Sequence, residues 1–251
     1  MNILALDTSF SACSVAVGRA GACAGGARVR AEVVGLLEPM QTGHAERLVP
    51  MISEVLAMAG LDVSALDLVA VTHGPGSFTG TRIAVSAARA LALASPKIRL
   101  VAASSLAVMA EQAARRLVEA GAVAERPLSD LVIAVDARRG EVYAQRFVWR
   151  ADGGGADAAD EPAVLAIEDA AGIGGQKLVD FCGSGADEVA RRACEDGREA
   201  AAHFPDLLPD ARDLARLAVR LEPACGPVEP LYLRPADAKP QAGKSIERAH
   251  P

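Results

Sequence analysis

A buried-strand pattern from Leu68 to Thr72 runs into Gly74-Pro75-Gly76 and on to Gly80, and an alanine-rich stretch with helical spacing begins where the glycines end. A strand, a glycine loop and a helix in immediate succession place backbone N–H groups at a helix N-terminus, the layout of an anion cradle, and commit the chain to an α/β architecture. Both common nucleotide fingerprints fail here. Gly80 is followed by Thr81 where a P-loop needs lysine, and Gly74-Pro75-Gly76-Ser77-Phe78-Thr79 ends in threonine where a dinucleotide turn needs glycine.

The first strand reads as Ile3 to Leu6, ending at Asp7; Ser14 to Val17 alternates as a returning antiparallel strand, and a third strand is expected near Ala31 to Leu37. A helix from His44 to Ala59 carries Leu48, Ile52, Val55, Leu56 and Ala59 on one face, stops at Gly60 and should bend at Pro50. Strand 68–72, the glycine loop, a helix over 81–95 and a strand from Arg99 to Ala102 follow. A second unit opens near Leu131: an apolar strand ends at Asp136, Arg138-Arg139-Gly140 turns the chain, and Glu141 to Trp149 alternates on its way back. Leu4-Ala5-Leu6-Asp7 matches Ile133-Ala134-Val135-Asp136, an internal repeat. Ala151 to Asp160 reads as an exposed loop, Lys177 to Cys182 as a strand entering Gly183-Ser184-Gly185, and Ala186 to Glu195 and 210–221 as helices. The division expected is a lobe over 1–104, a second over 105–234 and a loose tail over 235–251.

With 51% hydrophobic but only 3% aromatic residues among 251, the core must be packed from Ala, Val, Leu and Ile. No apolar stretch reaches membrane-spanning length and Asp7 comes too early for a signal segment, so the expectation is no membrane contact and a cytoplasmic protein. Cys13, Cys23, Cys182, Cys194 and Cys225 are scattered without CxxC spacing and read as buried small hydrophobes. A net charge of −6 argues against a broad grip on nucleic acid, leaving a local patch such as Arg138 and Arg139 or a partner's surface. His44, His73, His203 and His250 lie far apart, so no metal site is expected, and no Ser, His and Asp grouping or HExxH motif supports a protease.

Two readings stay open for the glycine loop. Gly74, Gly76 and Gly80 supply special backbone angles and a tight helix entry, or, with Asp7, Thr8 and Ser9, they are what remains of a phosphate cradle. Asp136 reads as a turn cap, Glu46 as a favourable first-turn acid beside His44, and His73, beside the loop, as the better functional histidine. Ile83, Ala87, Ala90, Leu91 and Ala94 form one stripe, with Ala84, Ala88 and Ala92 adjoining it, more small or apolar surface than one sheet-facing side needs. Burial within the monomer and a dimer interface both satisfy that pattern.

Two halves, each opening on a hairpin whose first strand ends in aspartate, resemble the duplicated actin, Hsp70 and sugar-kinase (ribonuclease H-like) fold, with two lobes of mixed sheets and flanking helices. Within it, ILALDTS at 3–9, HAERLVPMI at 44–52, GPGSFTGTRI at 74–83, DARRGEVYAQRF at 136–147 and PLYLR at 230–234 resemble the TsaB (YeaZ) family. The resemblance implies a non-catalytic subunit that activates a TsaD-like catalytic subunit making threonylcarbamoyladenosine next to the tRNA anticodon. A TsaE-like ATPase would join, a homodimer is possible, tRNA would be met only through the complex, and no cofactor is expected. It implies pairing through the N-terminal half, with Leu48, Ile52, Leu56, Ile83, Ala87 and Leu91 at the interface. TsaD-like proteins carry two metal-binding histidines one helical turn apart, whereas here His44 is followed four positions on by Leu48. The competing reading is an ATP-binding enzyme of this fold, an ATPase or small-molecule kinase, that acts alone.

Overall fold

The computed structural model describes residues 1–23, 26–121, 130–150, 155–175 and 178–234, with side chains described for all of these except 22, 23 and 26–32. The expected tail at 235–251, part of the expected loop at 151–160 and the side chain of Cys23 lie outside the described residues.

The first half runs β1 (Asn2–Asp7), β2 (Ala12–Cys23), β3 (Gly26–Pro39), α1 (His44–Met58), β4 (Leu68–Thr72), α2 (Phe78–Ala94), β5 (Arg99–Ala103) and α3 (Ser105–Glu119). The second runs β6 (Asp130–Arg138), β7 (Glu141–Trp149), β8 (Ala156–Ala158), β9 (Ala163–Ala166), α4 (Ile167–Ala171), β10 (Val179–Cys182), α5 (Ala186–Glu195), β11 (Ala200–His203) and α6 (Ala211–Leu217). One sheet has the order β3-β2-β1-β4-β5; the other is β11-β10-β6-β7-β8, with β9 also on β7. In each, an antiparallel hairpin (β1–β2, β6–β7) is extended by parallel strands (β4 and β5, β10 and β11), so the repeat in sequence is a repeat in topology. It extends to backbone angles: Gly74 after β4 has φ 113° and Gly183 after β10 has φ 111°.

Period-2 alternation explains why the opening strands are apolar throughout. Leu4 and Leu6 of β1 face a core with α1 and α2, while Ile3 and Ala5 face the opposite side, against Leu214, Ala215 and Ala218. In β6, Leu131, Ile133 and Val135 meet Leu106, Met109, Ala113 and Leu117 of α3, and Val132 and Ala134 meet α4 and α5. The last helix of each half thus covers the sheet of the other. Helix α6, although it falls in the range 105–234, packs on the first sheet. Between the two sheets, α3 and α6 are tied by Arg115 to the buried Asp213 at 3.0 Å. Glu111 of α3, also buried, accepts from Arg150 and Arg220, each at 3.1 Å.

Several elements differ from the expectations. Helix α2 starts at Phe78, not 81, because the Ser77 hydroxyl caps it by accepting from Gly80 N at 3.0 Å. Helix α3, capped by Ser104, and the short elements β9, α4 and β11 had no counterpart in the sequence reading. Ala156–Ala158, expected in a loop, is an added strand on β7. Cys13 and Cys182 are buried as expected, but Cys194 and Cys225 are exposed.

Candidate functional site

The carboxyl end of β1 and the glycine loop after β4 close on each other. Asp7, Thr8 and Ser9 are fully buried. The Ser9 hydroxyl donates to Asp7 Oδ2 at 2.5 Å, the Ser9 amide donates to Oδ1 at 3.3 Å, and the Thr72 hydroxyl donates to the same carboxylate. Burial pushes the Asp7 pKa up to about 6, against the lowering effect of these donors. The Thr8 hydroxyl donates to Gly80 O at 2.6 Å and accepts from Ala84 N at 3.1 Å, and Ser77 N donates to Ser9 O at 2.7 Å. The approach leaves no room for side chains: a Cβ on Gly76 would lie 2.3 Å from Ser9 O, and one on Gly80 2.0 Å from Thr8 O. Asp7, Thr8 and Ser9 are thus brought against Gly76 and Gly80, with the Thr8 hydroxyl on Gly80 O and the Ser9 hydroxyl on Asp7, while Gly74 lies against Leu231 and Thr81.

Over this junction lies the segment containing PLYLR. Leu231 N donates to His73 O at 2.6 Å, His73 Nδ1 donates to Glu229 O at 3.2 Å, and a Cβ on Gly74 would meet Leu231 O at 2.7 Å. Burial lowers the His73 pKa. Tyr232 packs on Phe78 with ring centroids 5.3 Å apart, and the Arg82 guanidinium lies 3.4 Å from the Phe78 centroid. Arg234 then crosses to the other lobe, donating to Ala137 O at 3.0 Å and pairing with Glu141. There Asp136 caps its turn by accepting from Arg138 N at 2.7 Å. Arg139 and Gly140, with φ 62° and 72°, form the two-residue hairpin loop. Sequence reasoning had singled out PLYLR only as a matching motif; its place as a strap between lobes, and the Phe78, Arg82 and Tyr232 cluster, were missed because no local periodicity marks them.

The residues expected at an interface divide into two sets. Leu48, Ile52 and Leu56 are buried in the core beneath α1, and Ile83, Ala87 and Leu91 are half-buried beside it. The large apolar side chains that reach solvent from this pair of helices include Val49, Met58, Phe78 and Leu93. His44 is structural: its Nε2 donates to Phe10 O at 3.1 Å across the start of α1.

Among the described residues, no group of three or more His, Cys, Asp or Glu is placed to hold a metal ion, and no helix is long and apolar enough to cross a membrane. Burial pushes the Cys13 thiol up to about 12 and raises that of Cys182 as well, so neither is a ready nucleophile.

Two sheets on one plan with exchanged central helices define a duplicated actin-like, ribonuclease H-like protein. A family model described as TsaD, tRNA N6-adenosine threonylcarbamoyltransferase, matches residues 38–207. A Haemophilus influenzae protein named tRNA threonylcarbamoyladenosine biosynthesis protein TsaB is 38% identical over 148 residues, 59% of this chain and 54% of that protein. The chain spans about half the length of the curated relatives it matches. Two Pseudomonas aeruginosa structures, each 32% identical, agree over most of their length. One, described as an uncharacterized protein similar to the peptidase YeaZ, has a TM-score of 0.70 over 93% of this chain and 99% of that one. The other, YeaZ, has a TM-score of 0.67 over 87% and 91%. The chain belongs to the TsaD family, in its TsaB (YeaZ) branch.

Proposed function

We propose that this chain works in tRNA threonylcarbamoyladenosine biosynthesis as a non-catalytic subunit, pairing with a TsaD-like catalytic subunit and activating it. A TsaE-like ATPase joins that assembly in the cytoplasm, and tRNA is reached only through the complex. The observation that supports the reading is the closed junction: Gly76 and Gly80 press on the carbonyls of Ser9 and Thr8, and the Thr8 hydroxyl is taken up by Gly80 O and Ala84 N. Support for the pathway comes from relatives named for it and from the family model. The pairing surface is the outer side of α1 and α2, where Val49 is exposed and Ile83, Ala87 and Leu91 are half-buried, with Leu48, Ile52 and Leu56 holding the helices from beneath. Small residues on α2 permit close helix approach. Docking there favours the partner's active arrangement by differential contact. The test is co-elution with the TsaD-like partner and an assay of modified adenosine. Ala87→Arg should abolish both while the melting temperature of the lone chain is kept; unchanged co-elution overturns the pairing. Submicromolar Mg-ATP binding with turnover by the lone chain would establish the competing enzyme instead.

A further inference from the structure

A groove of about 560 Å³ lies at the far end of α2, lined by Leu93, Ile98, Leu100 and Pro227 and flanked by Arg89 and Arg99. Its volume falls in the usual range of ligand sites. Its wall is held in place: Ala224 N donates to Leu100 O at 2.9 Å, so residues 223–227 lie along the outer edge of β5. That contact occupies part of the edge that an added strand would use, leaving a site for side chains. Leu93 on the rim is 88% exposed, the largest exposure among the large apolar side chains described.

Among the described residues, no carboxylate offsets the charges beside the groove. Arg47, Arg115, Arg146, Arg150, Arg212 and Arg234 each pair with a carboxylate. Among the described residues, neither Arg89 nor Arg99 has a carboxylate partner; Arg99 reaches only the Met1 sulfur at 3.0 Å. No carboxylate lines the groove. In a chain of net charge −6, an apolar groove between two uncompensated guanidiniums is complementary to a segment that is apolar at its centre and acidic at its flanks.

We infer that this groove is a docking site for a short acidic segment of a partner protein, one that inserts a leucine or aromatic side chain between Pro227 and Leu93 and places carboxylates on Arg89 and Arg99. The site does not rest on the α1–α2 pairing proposed above. The test uses the full chain and a fluorescein-labelled peptide with a Leu-Phe centre flanked by glutamates, beside the same peptide with lysines in their place. Fluorescence anisotropy should show saturable binding of the acidic probe at roughly 10–100 µM and at least about 10-fold weaker binding of the lysine form. Arg89→Glu combined with Arg99→Glu should weaken the acidic probe by about 10-fold or more, and Leu93→Ser by about 5-fold, with unchanged circular dichroism melting. A readout free of substitution is salt: raising NaCl from about 0.1 to 0.5 M should weaken the unaltered chain several-fold. Equal binding of the two peptides, a double variant that binds like the parent, indifference to salt, or no saturation up to about 1 mM would each overturn the site.

Discussion

Gly80→Ala sets a helix preference against a close contact, and the structure decides between them. Within α2, replacing glycine by alanine favours the helix by at most about 1 kcal/mol. The new Cβ, however, would sit 2.0 Å from Thr8 O and 2.6 Å from Ser77 Oγ. An ordinary carbon–oxygen contact requires more than 1 Å of further separation, so the start of α2 must lift from the β1 turn. That displacement strains or breaks the Thr8 hydroxyl bonds to Gly80 O and from Ala84 N, and the Ser77 N bond to Ser9 O. Three such bonds at about 1 kcal/mol each, less the helix gain, give a loss of about 2–4 kcal/mol once lost packing is included. For a protein of this size the melting temperature should fall by roughly 4–16 °C. Gly226→Ala, with nothing within 4 Å of its added Cβ, is the control and should stay within about 0.5 kcal/mol of the parent. Differential scanning calorimetry of the three proteins is sufficient. A Gly80→Ala protein that melts with or above the parent would refute the reasoning that close approach, not chain flexibility, fixes glycine there.

Asp7 makes stability depend on pH in a stated direction. Its folded pKa of about 6 lies above the unfolded value, so its contribution is full below about pH 4 and is lost as pH rises through 6. Between pH 7 and pH 4.5 the parent should gain on the order of 2 kcal/mol relative to Asp7→Asn in urea unfolding, and parallel pH profiles would contradict this. Glu111→Ala leaves the Arg150 and Arg220 guanidiniums without their buried carboxylate and should cost about 3 kcal/mol by the same measurement. Arg234→Ala removes the strap's anchor on the second lobe; hydrogen exchange should rise at Ala137 to Glu141 and around His73 together, whereas a change confined to the strap would show that it does not join them.

What could be read in the sequence was what local chemistry marks. Asp7 and Asp136 end apolar strands and disclosed the duplication, and Gly74, Gly76 and Gly80 disclosed the strand-to-helix junction. The start of α2 was set three residues late because Gly80 looked like a loop residue, while its true neighbour, the Thr8 carbonyl, is 72 positions away in the chain. Helix α3 has no counterpart in the sequence expectations although Leu106, Met109, Ala113 and Leu117 recur at helical spacing on its buried face and Ser104 caps its start, so the signal was present in the residues. Strand β11, Ala-Ala-Ala-His, carries no strand preference and exists by pairing with β10. For Leu48, Ile52 and Leu56 the helical spacing showed an apolar face but not what covers it, and the first sheet does. The expected cradle was legible as a cluster, yet its closure by Ser77, Thr8 and Ser9 depends on distances no spacing encodes.

The placement of α6 on the first sheet has a consequence during synthesis. Ile3 and Ala5 leave the ribosome some 200 residues ahead of Ala211, Leu214 and Ala215, which cover them. At roughly 5–20 residues per second, that face waits roughly 10–40 s for its cover. The two halves are therefore not separable folding units, and a nascent chain stopped before Ala211 offers chaperones and proteases an uncovered apolar layer.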